Sequence, residues 1–293
     1  MRRTIAALAC AATATLIAPA VAAPAHAQAG AADPVAALKK QFVAGHGVHF
    51  TSVGKISIGG FSSVKLRQKG DVEFARAGVS ASDVTAKIDF GGSLGDEGDL
   101  QGLDDPTRTI TVKKKTYVSG GVYADALPDG KTWLRMPGGD AAGSVAGNNF
   151  INPLNPQALK AVLATAKAHG NGGVIGGAKT TLYRGAITLQ QLAASTPSLK
   201  NELKALGPES RKTVVSWKLW VGSDSLVRRL STSTSLKYKT KKVSFTLDVA
   251  GTLTFTGWGS KIHITPPPSD QVADVSDIDG TVPEMPDYIN LGD

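Results

Sequence analysis

The run Val243-Ser-Phe245-Thr-Leu247-Asp-Val249-Ala-Gly251-Thr-Leu253-Thr-Phe255-Thr256 is apolar at every odd position except Gly251, and Ser, Thr, Asp or Ala at every even one. Successive side chains of an extended chain point to opposite faces. The stretch therefore reads as one long strand with a dry face and a wet face, whereas a helix would need apolar spacings of three and four. The same alternation recurs outward from it. Val64, Leu66, Val72 and Phe74 alternate with Lys65, Arg67, Lys69, Asp71 and Glu73, and Val84, Ala86, Ile88 and Phe90 with Asp83, Thr85, Lys87 and Asp89. Leu230, Leu236 and Tyr238 share one side of 226–238. Further strands are expected at 48–58, 107–112, 116–118, 132–136, 181–188 and 213–221. About ten strands with polar opposite faces, joined at glycine pairs such as Gly59-Gly60, Gly91-Gly92 and Gly120-Gly121, indicate antiparallel pairing and exclude a parallel α/β sheet. A sheet of that extent twists and curls.

Helices are few. Asp33-Pro34 opens one with an N-cap acid and a proline at the first helical position, and Val35, Leu38 and Phe42 mark its apolar side before Gly45 or Gly47 ends it. Asn155-Pro156 opens a second, with Leu159, Val162, Leu163 and Ala166 on one stripe and Gly170 as its stop. Shorter pieces fit 189–194 and 197–206. Such stripes must lie on something apolar, and the inner face of the curled sheet is the available partner. The expected fold is therefore α+β: a curved antiparallel half-barrel of about ten strands, covered on its concave face by a few helices. Irregular backbone is expected at 91–105, 138–149, 170–177 and beyond Pro266-Pro267-Pro268.

Arg2 and Arg3 precede an apolar stretch from Ile5 to Ala23, followed by Ala25-His26-Ala27. This is the order of a secretory signal peptide, with cleavage after Ala27. Leu8-Ala9-Cys10 has the ending of a lipidation box, but Cys10 follows Arg3 by only six residues, too few for an apolar h-region, so a lipid anchor there is disfavoured. Three segments are thus expected: signal peptide 1–27, a body 28–268, and an acidic, proline-containing tail 269–293. The 293-residue chain carries a net charge of +8, and the signal peptide takes away two arginines and no acid, leaving +6. Seven acids and no Lys or Arg fall in the tail, so the body holds +13. An exported basic body suits an anionic membrane surface or an acidic cell-wall polymer, and its cations are dispersed over strands with no recognition helix for nucleic acid. Composition excludes a disordered polyelectrolyte, and the lone Cys10 excludes a disulfide scaffold.

Motifs that carry chemistry are scarce. Gly173 to Thr180 has the glycines and lysine of a phosphate-binding loop, but Ala178 stands where a glycine must precede Lys179. Ser62-Ser-Val-Lys65 fits S-x-x-K but begins a strand, where positions i and i+3 face apart. His46 and His49 fall beside a helix end, His169 in an expected last helical turn, and His263 at a strand; none has the spacing or companion carboxylates of a zinc site. Asp277-x-Asp279-Gly280 fits part of a calcium loop, but Val275 and Pro286 occupy its first and twelfth positions. The reading is a non-catalytic protein without metal or cofactor.

Four stretches together resemble a known family: Asn155-Pro156-Gln-Ala-Leu159-Lys160, Thr181-Leu-Tyr183-Arg184-Gly185-Ala-Ile-Thr-Leu189, Trp217-Lys-Leu-Trp220-Val221 running on to Arg228-Arg229, and Thr254 to Pro267 with Gly257-Trp258-Gly259. The pattern is similar to the actinobacterial lipoproteins that carry lipids in mycobacteria (LppX/LprG-like), which share their fold with the periplasmic carrier and the receptor of Gram-negative lipoprotein sorting. The resemblance spans 33–268. It implies an apolar cavity between sheet and helices that shelters an acyl chain of a lipid or lipoglycan, and a protein secreted or held at the cell envelope, here a monomer. The family's usual lipobox cysteine at the mature N-terminus is missing. Candidate cavity residues are Phe50, Phe74, Ile88, Phe90, Phe245 and Leu247 on the sheet and Leu159, Val162 and Leu163 on the lid helix, with 138–149 bordering the mouth. The alternative is an envelope interaction or sensor module whose helices simply fill the sheet.

Overall fold

In a computed structural model, the structure describes residues 33–59, 62–92, 102–146, 149–196, 199–200, 203, 209–239 and 244–278. The signal-peptide reading and Cys10 lie outside them. Twelve strands form one curved, unclosed sheet: β1 (His46–Ile58), β2 (Ser62–Ala75), β3 (Gly78–Gly92), β4 (Thr107–Val112), β5 (Lys115–Gly120), β6 (Trp133–Met136), β7 (Ala166–Ile175), β8 (Ala178–Thr188), β9 (Val214–Gly222), β10 (Val227–Lys239), β11 (Ser244–Lys261) and β12 (Val272–Asp274). The order across the sheet is β12-β6-β5-β4-β3-β2-β1-β11-β10-β9-β8-β7. Every pair is antiparallel except β12 with β6.

The register explains the alternation. Phe50 faces Phe255, Ser52 faces Leu253 and Ile56 faces Val249, so the odd positions of β11 and the even positions of β1 share the concave face. Leu230, Leu236, Trp217 and Leu219 continue that face through β10 and β9. Onto it pack helices α1 (Pro34–Lys40), α2 (Gly143–Ala146), α3 (Pro156–Leu163) and α4 (Leu189–Ala193), which contribute Leu38, Val145, Leu159, Val162, Leu189 and Leu192 to a single buried core. Asp33 caps α1 through Ala36 N–H, and Asn155 caps α3 through Gln157 and Ala158 N–H, as the sequence predicts. Of the expected helix over 197–206, residues 199, 200 and 203 are helical, with Leu199 and Leu203 in the core.

Three local expectations change. The α3 helix stops at Leu163 instead of continuing past Ala166, and β7 begins at Ala166, taking in much of 170–177. Past Leu163 the stripe has nothing left to bury: Lys167, His169 and Asn171 are exposed, and the segment is an edge strand wet on both faces. His169 accordingly lies beside Tyr183 in the β7–β8 hairpin, ring centroids 6.0 Å apart, not in a helical turn. Secondly, 138–149 contains α2, with Val145 and Asn149 buried. It lies over the concave face: a Cβ on Gly251 would meet Asn149 Oδ1 at 2.5 Å, and the Thr232 hydroxyl donates to the same oxygen at 3.0 Å.

Thirdly, the sheet runs on beyond Pro268. After β11, Ile262 and Ile264 cross the convex face and pack with Ala81, Ile110, Val112, Tyr117 and Trp133 in a second core. The Glu73 carboxylate accepts Ile264 N–H at 2.8 Å. The prolines, which cannot donate to a ladder, carry the chain to β12. There Ala273 is fully buried beside Leu134, and Asp274 takes both ends of the Arg135 guanidinium. The first part of the acidic tail is thus a strap closing one edge of the sheet.

Candidate functional site

The nine cavity candidates separate into groups. Phe50 and Phe74 lie deep in the core, 2% and 0% exposed. Phe74 stacks on Trp258 at 6.1 Å and tilts against Phe42 at 5.5 Å, and Trp258 also meets Phe255 at 5.4 Å. This aromatic cluster seals one end of the concave face beneath α1. Leu159 and Val162 are fully buried in the same core, while Leu163, the last residue of α3, is half-buried against it.

The other four candidates gather at the opposite end of the long strands. Register places Phe90 beside Val64 and Ile56, Ile88 beside Leu66, and Leu247 beside Ile58 and Leu236, with Phe245 one step further along β11. Ile56, Leu66, Ile88 and Leu247 are buried, whereas Ile58, Val64, Phe90 and Phe245 are half-buried on the same face. An apolar strip therefore runs continuously from the core to water at this end. Ile58 and Val64 complete it and are missing from the nine; both stood within expected strands, and the cue was their in-phase apolar character. The sequence gives no sign of which in-phase residues the helices leave uncovered.

Two hollows are also present. A cleft of about 700 Å³ opens between α1, the β9–β10 turn and the bend of β11, lined by Lys40, Gln41, Asp224, Arg228, Thr256 and Trp258 among others. Asp224 shapes that turn: its carboxylate accepts Leu226 N–H at 3.1 Å and pairs with Arg228 at 2.5 Å. A second hollow of about 500 Å³ lies on the convex face over β9, β10, β11 and β1. None of the nine candidates lines either one.

The electrostatics are those of a surface with local pairs. The Asp83 hydrogen bond raises Arg108 above its ordinary value, against the opposing effect of burial. Arg135 lowers Asp274 below the usual carboxylate range by hydrogen bonding, and is raised in return. Glu73 lies 3.7 Å from His263 and Asp71 2.6 Å from His49, so these histidines each have one carboxylate neighbour. Among the described residues no group of three or more His, Cys, Asp or Glu could hold a metal ion, and no helix is long and apolar enough to cross a membrane.

Fold and site define a helix-covered curved sheet whose apolar face is sealed at one end and reaches solvent at the other. No family model matches the chain, and no curated protein matches it. Among solved structures it is similar to a DUF1329 family protein from Desulfovibrio piger (10% identity, 80% of this chain and 92% of that one, TM-score 0.25). It is also similar to a LolA superfamily protein from Nitrosomonas europaea (8% identity, 78% and 93%, TM-score 0.27) and to the S-type phycobiliprotein lyase CPES from Guillardia theta (6% identity, 76% and 93%, TM-score 0.23).

Proposed function

We propose that the protein is an exported, non-catalytic carrier that shelters an acyl chain of a lipid or lipoglycan on the concave face. The observation that carries this reading is the half-buried strip Ile58, Val64, Phe90 and Phe245, continuous with the buried core and placed at one end of the strands. Side chains left partly wet on an otherwise covered face gain from an apolar ligand. Each methylene sheltered is worth about 0.8 kcal/mol, so a chain of about twelve carbons supplies several kcal/mol after the costs of association. Lid residues Leu159, Val162 and Leu163 bound the chain from the helix side, and Phe50 and Phe74 close its inner end. No acid–base pair or nucleophile takes part in holding it.

The test is titration of the purified protein with a fluorescent fatty acid. Saturable uptake that an unlabelled long-chain acid displaces, and that Phe90→Asp abolishes while leaving the fold intact, is expected. Absence of saturable uptake would give the concave face to packing alone, the reading that the burial of Phe50, Phe74, Leu159 and Val162 favours.

A further inference from the structure

The convex face offers a second site, independent of the acyl-chain reading. Helices cover the concave face and the C-terminal strap covers β3–β6 and the Glu73 end of β2 on the convex side, while among the described residues neither covers the convex side of the rest of β2 or of β1, β11, β10, β9 and β8. One register row crosses this open region without a break: Lys87 faces Arg67, Arg67 faces Val53, then Thr252, Ser231, Lys218 and Arg184 follow on successive strands. Cations stand at both ends of the row and small side chains in the middle.

Three like-charge couples sit directly across from one another on this face: Lys55 with Lys65, Arg67 with Lys87, and Arg184 with Lys218. Like charges directly opposite in adjacent strands are destabilising. Elsewhere the same protein pairs its charges across strands, as Arg108 does with Asp83 and Arg135 with Asp274. Asp89 pairs with Arg67 and stands directly across from Lys65, so the acid on this edge is shared between two couples, and among the described residues Arg184 and Lys218 have no ion pair.

The floor between the couples is the 500 Å³ hollow, built on Ser216, Ser233, Ser235 and Ala250 with Lys55 on its rim and one acid, Asp248, which accepts the Ser235 hydroxyl at 2.5 Å. From β1, which carries Lys55, to β9, which carries Lys218, is three strand spacings, about 14 Å. That is the width of a single polymer chain lying along β10 and β11 with a cationic bank on each side. A flat bilayer would meet the β10–β11 centre of this convex face first, where Arg229, Lys237 and Asp248 stand, and leave both banks behind. Each couple presents two cations side by side, which suits the two diverging non-bridging oxygens of a phosphodiester better than the coplanar oxygens of a carboxylate, served best by one guanidinium fork. Serine hydroxyls on the floor match a polyol or sugar backbone, and Trp220, beside Lys218 on the same face, has Arg229 over its ring at 5.9 Å, where a nucleobase would have to stack. We propose that this face binds a linear polyol- or sugar-phosphate polymer along the β10–β11 trough.

The experiment measures binding of fluorescently end-labelled poly(glycerol phosphate) to the full chain by anisotropy at two salt concentrations. Lys55→Glu and Lys218→Glu each turn a repulsive couple into an attractive one, since the other cross-strand neighbours of these positions are Ala250 and Ser231. Each is expected to weaken binding at least fivefold and flatten its salt dependence, with a melting temperature equal to or above that of the parent. Lys39→Glu on α1 makes the same charge change away from the face and is expected to leave affinity unchanged. Equal losses in all three variants, or no loss at Lys55 and Lys218, would overturn the proposal. So would tighter binding of polygalacturonate, of an oligo(dT) of equal charge, or of phosphatidylglycerol vesicles than of the polyol phosphate.

Discussion

Gly185 lies under the indole of Trp217, and replacing it with alanine tests how tightly α3 is tied to the sheet. Register sets Gly185 opposite Trp217 on the concave face. An added Cβ would stand 2.4 Å from the Thr165 carbonyl oxygen, 2.4 Å from Trp217 Cζ2 and 2.7 Å from Cε2. None of these atoms is free to yield. The Trp217 side chain is 2% exposed, its Nε1–H donates to Thr165 Oγ1 at 3.1 Å, and that hydroxyl donates to Val162 O at the end of α3. Overpacking costs about 1–3 kcal/mol, and with a backbone carbonyl and a pinned ring as neighbours the upper end applies. At this chain length about 3 kcal/mol lowers the melting temperature by roughly 6–12 °C. Gly170→Ala, on edge strand β7 with nothing within 4 Å of the new methyl, is the matched control and stays within about 0.5 kcal/mol of the parent. Thermal unfolding followed by tryptophan fluorescence reads both. A Gly185→Ala protein melting within 2 °C of the parent, about the shift of 1 kcal/mol or less, would refute the steric argument.

Asn155→Ala removes the acceptor for two amide protons at the start of α3, and a loss of about 1 kcal/mol in chemical denaturation is expected. Leu163→Lys puts an ammonium at the half-buried edge of the lid; it is expected to abolish uptake of a fluorescent fatty acid while the far-ultraviolet circular dichroism stays that of the parent, and unchanged uptake would remove Leu163 from the site. Asp274 is held below its ordinary value of 3.8 by Arg135, so its contribution to docking β12 is present above 3.8 and is lost as pH falls through the lowered value. Protection factors for hydrogen exchange at 272–274 should therefore fall in acid before those of the long strands, and Arg135→Ala should produce the same local opening at neutral pH.

The long strands were legible because a sheet with one covered face writes its pairing into the sequence: Phe245 to Phe255 and Phe50 to Ile56 alternate in phase with their partners. Edge strand β7 was not, because Ala166, Lys167, Ala168 and His169 are exposed in succession, on both faces, and leave no period to read, so the stripe of α3 ran on past its true end. The strap was hidden for another reason. Ile262 and Ile264 stand before three prolines and a run of acids that read as a tail, and only their packing on Trp133 and Tyr117 shows a docked segment. The Tyr183-Arg184-Gly185 stretch was noticed as a motif, and its physical basis is the ring of Trp217 lying across Gly185. Among the cavity candidates, alternation identified the face but not the depth. Phe74 and Phe90 occupy equivalent in-phase positions, yet Trp258 and Phe42 cover the first and leave the second half-buried.

Native mass spectrometry of the exported protein from its own host, paired with mass analysis of its organic extract, tests directly whether the concave face carries an acyl chain. A reproducible adduct of several hundred daltons or more, matching an extracted lipid and lost in Leu163→Lys, is the expected result. A bare polypeptide mass, unchanged after incubation with host lipids, would contradict it.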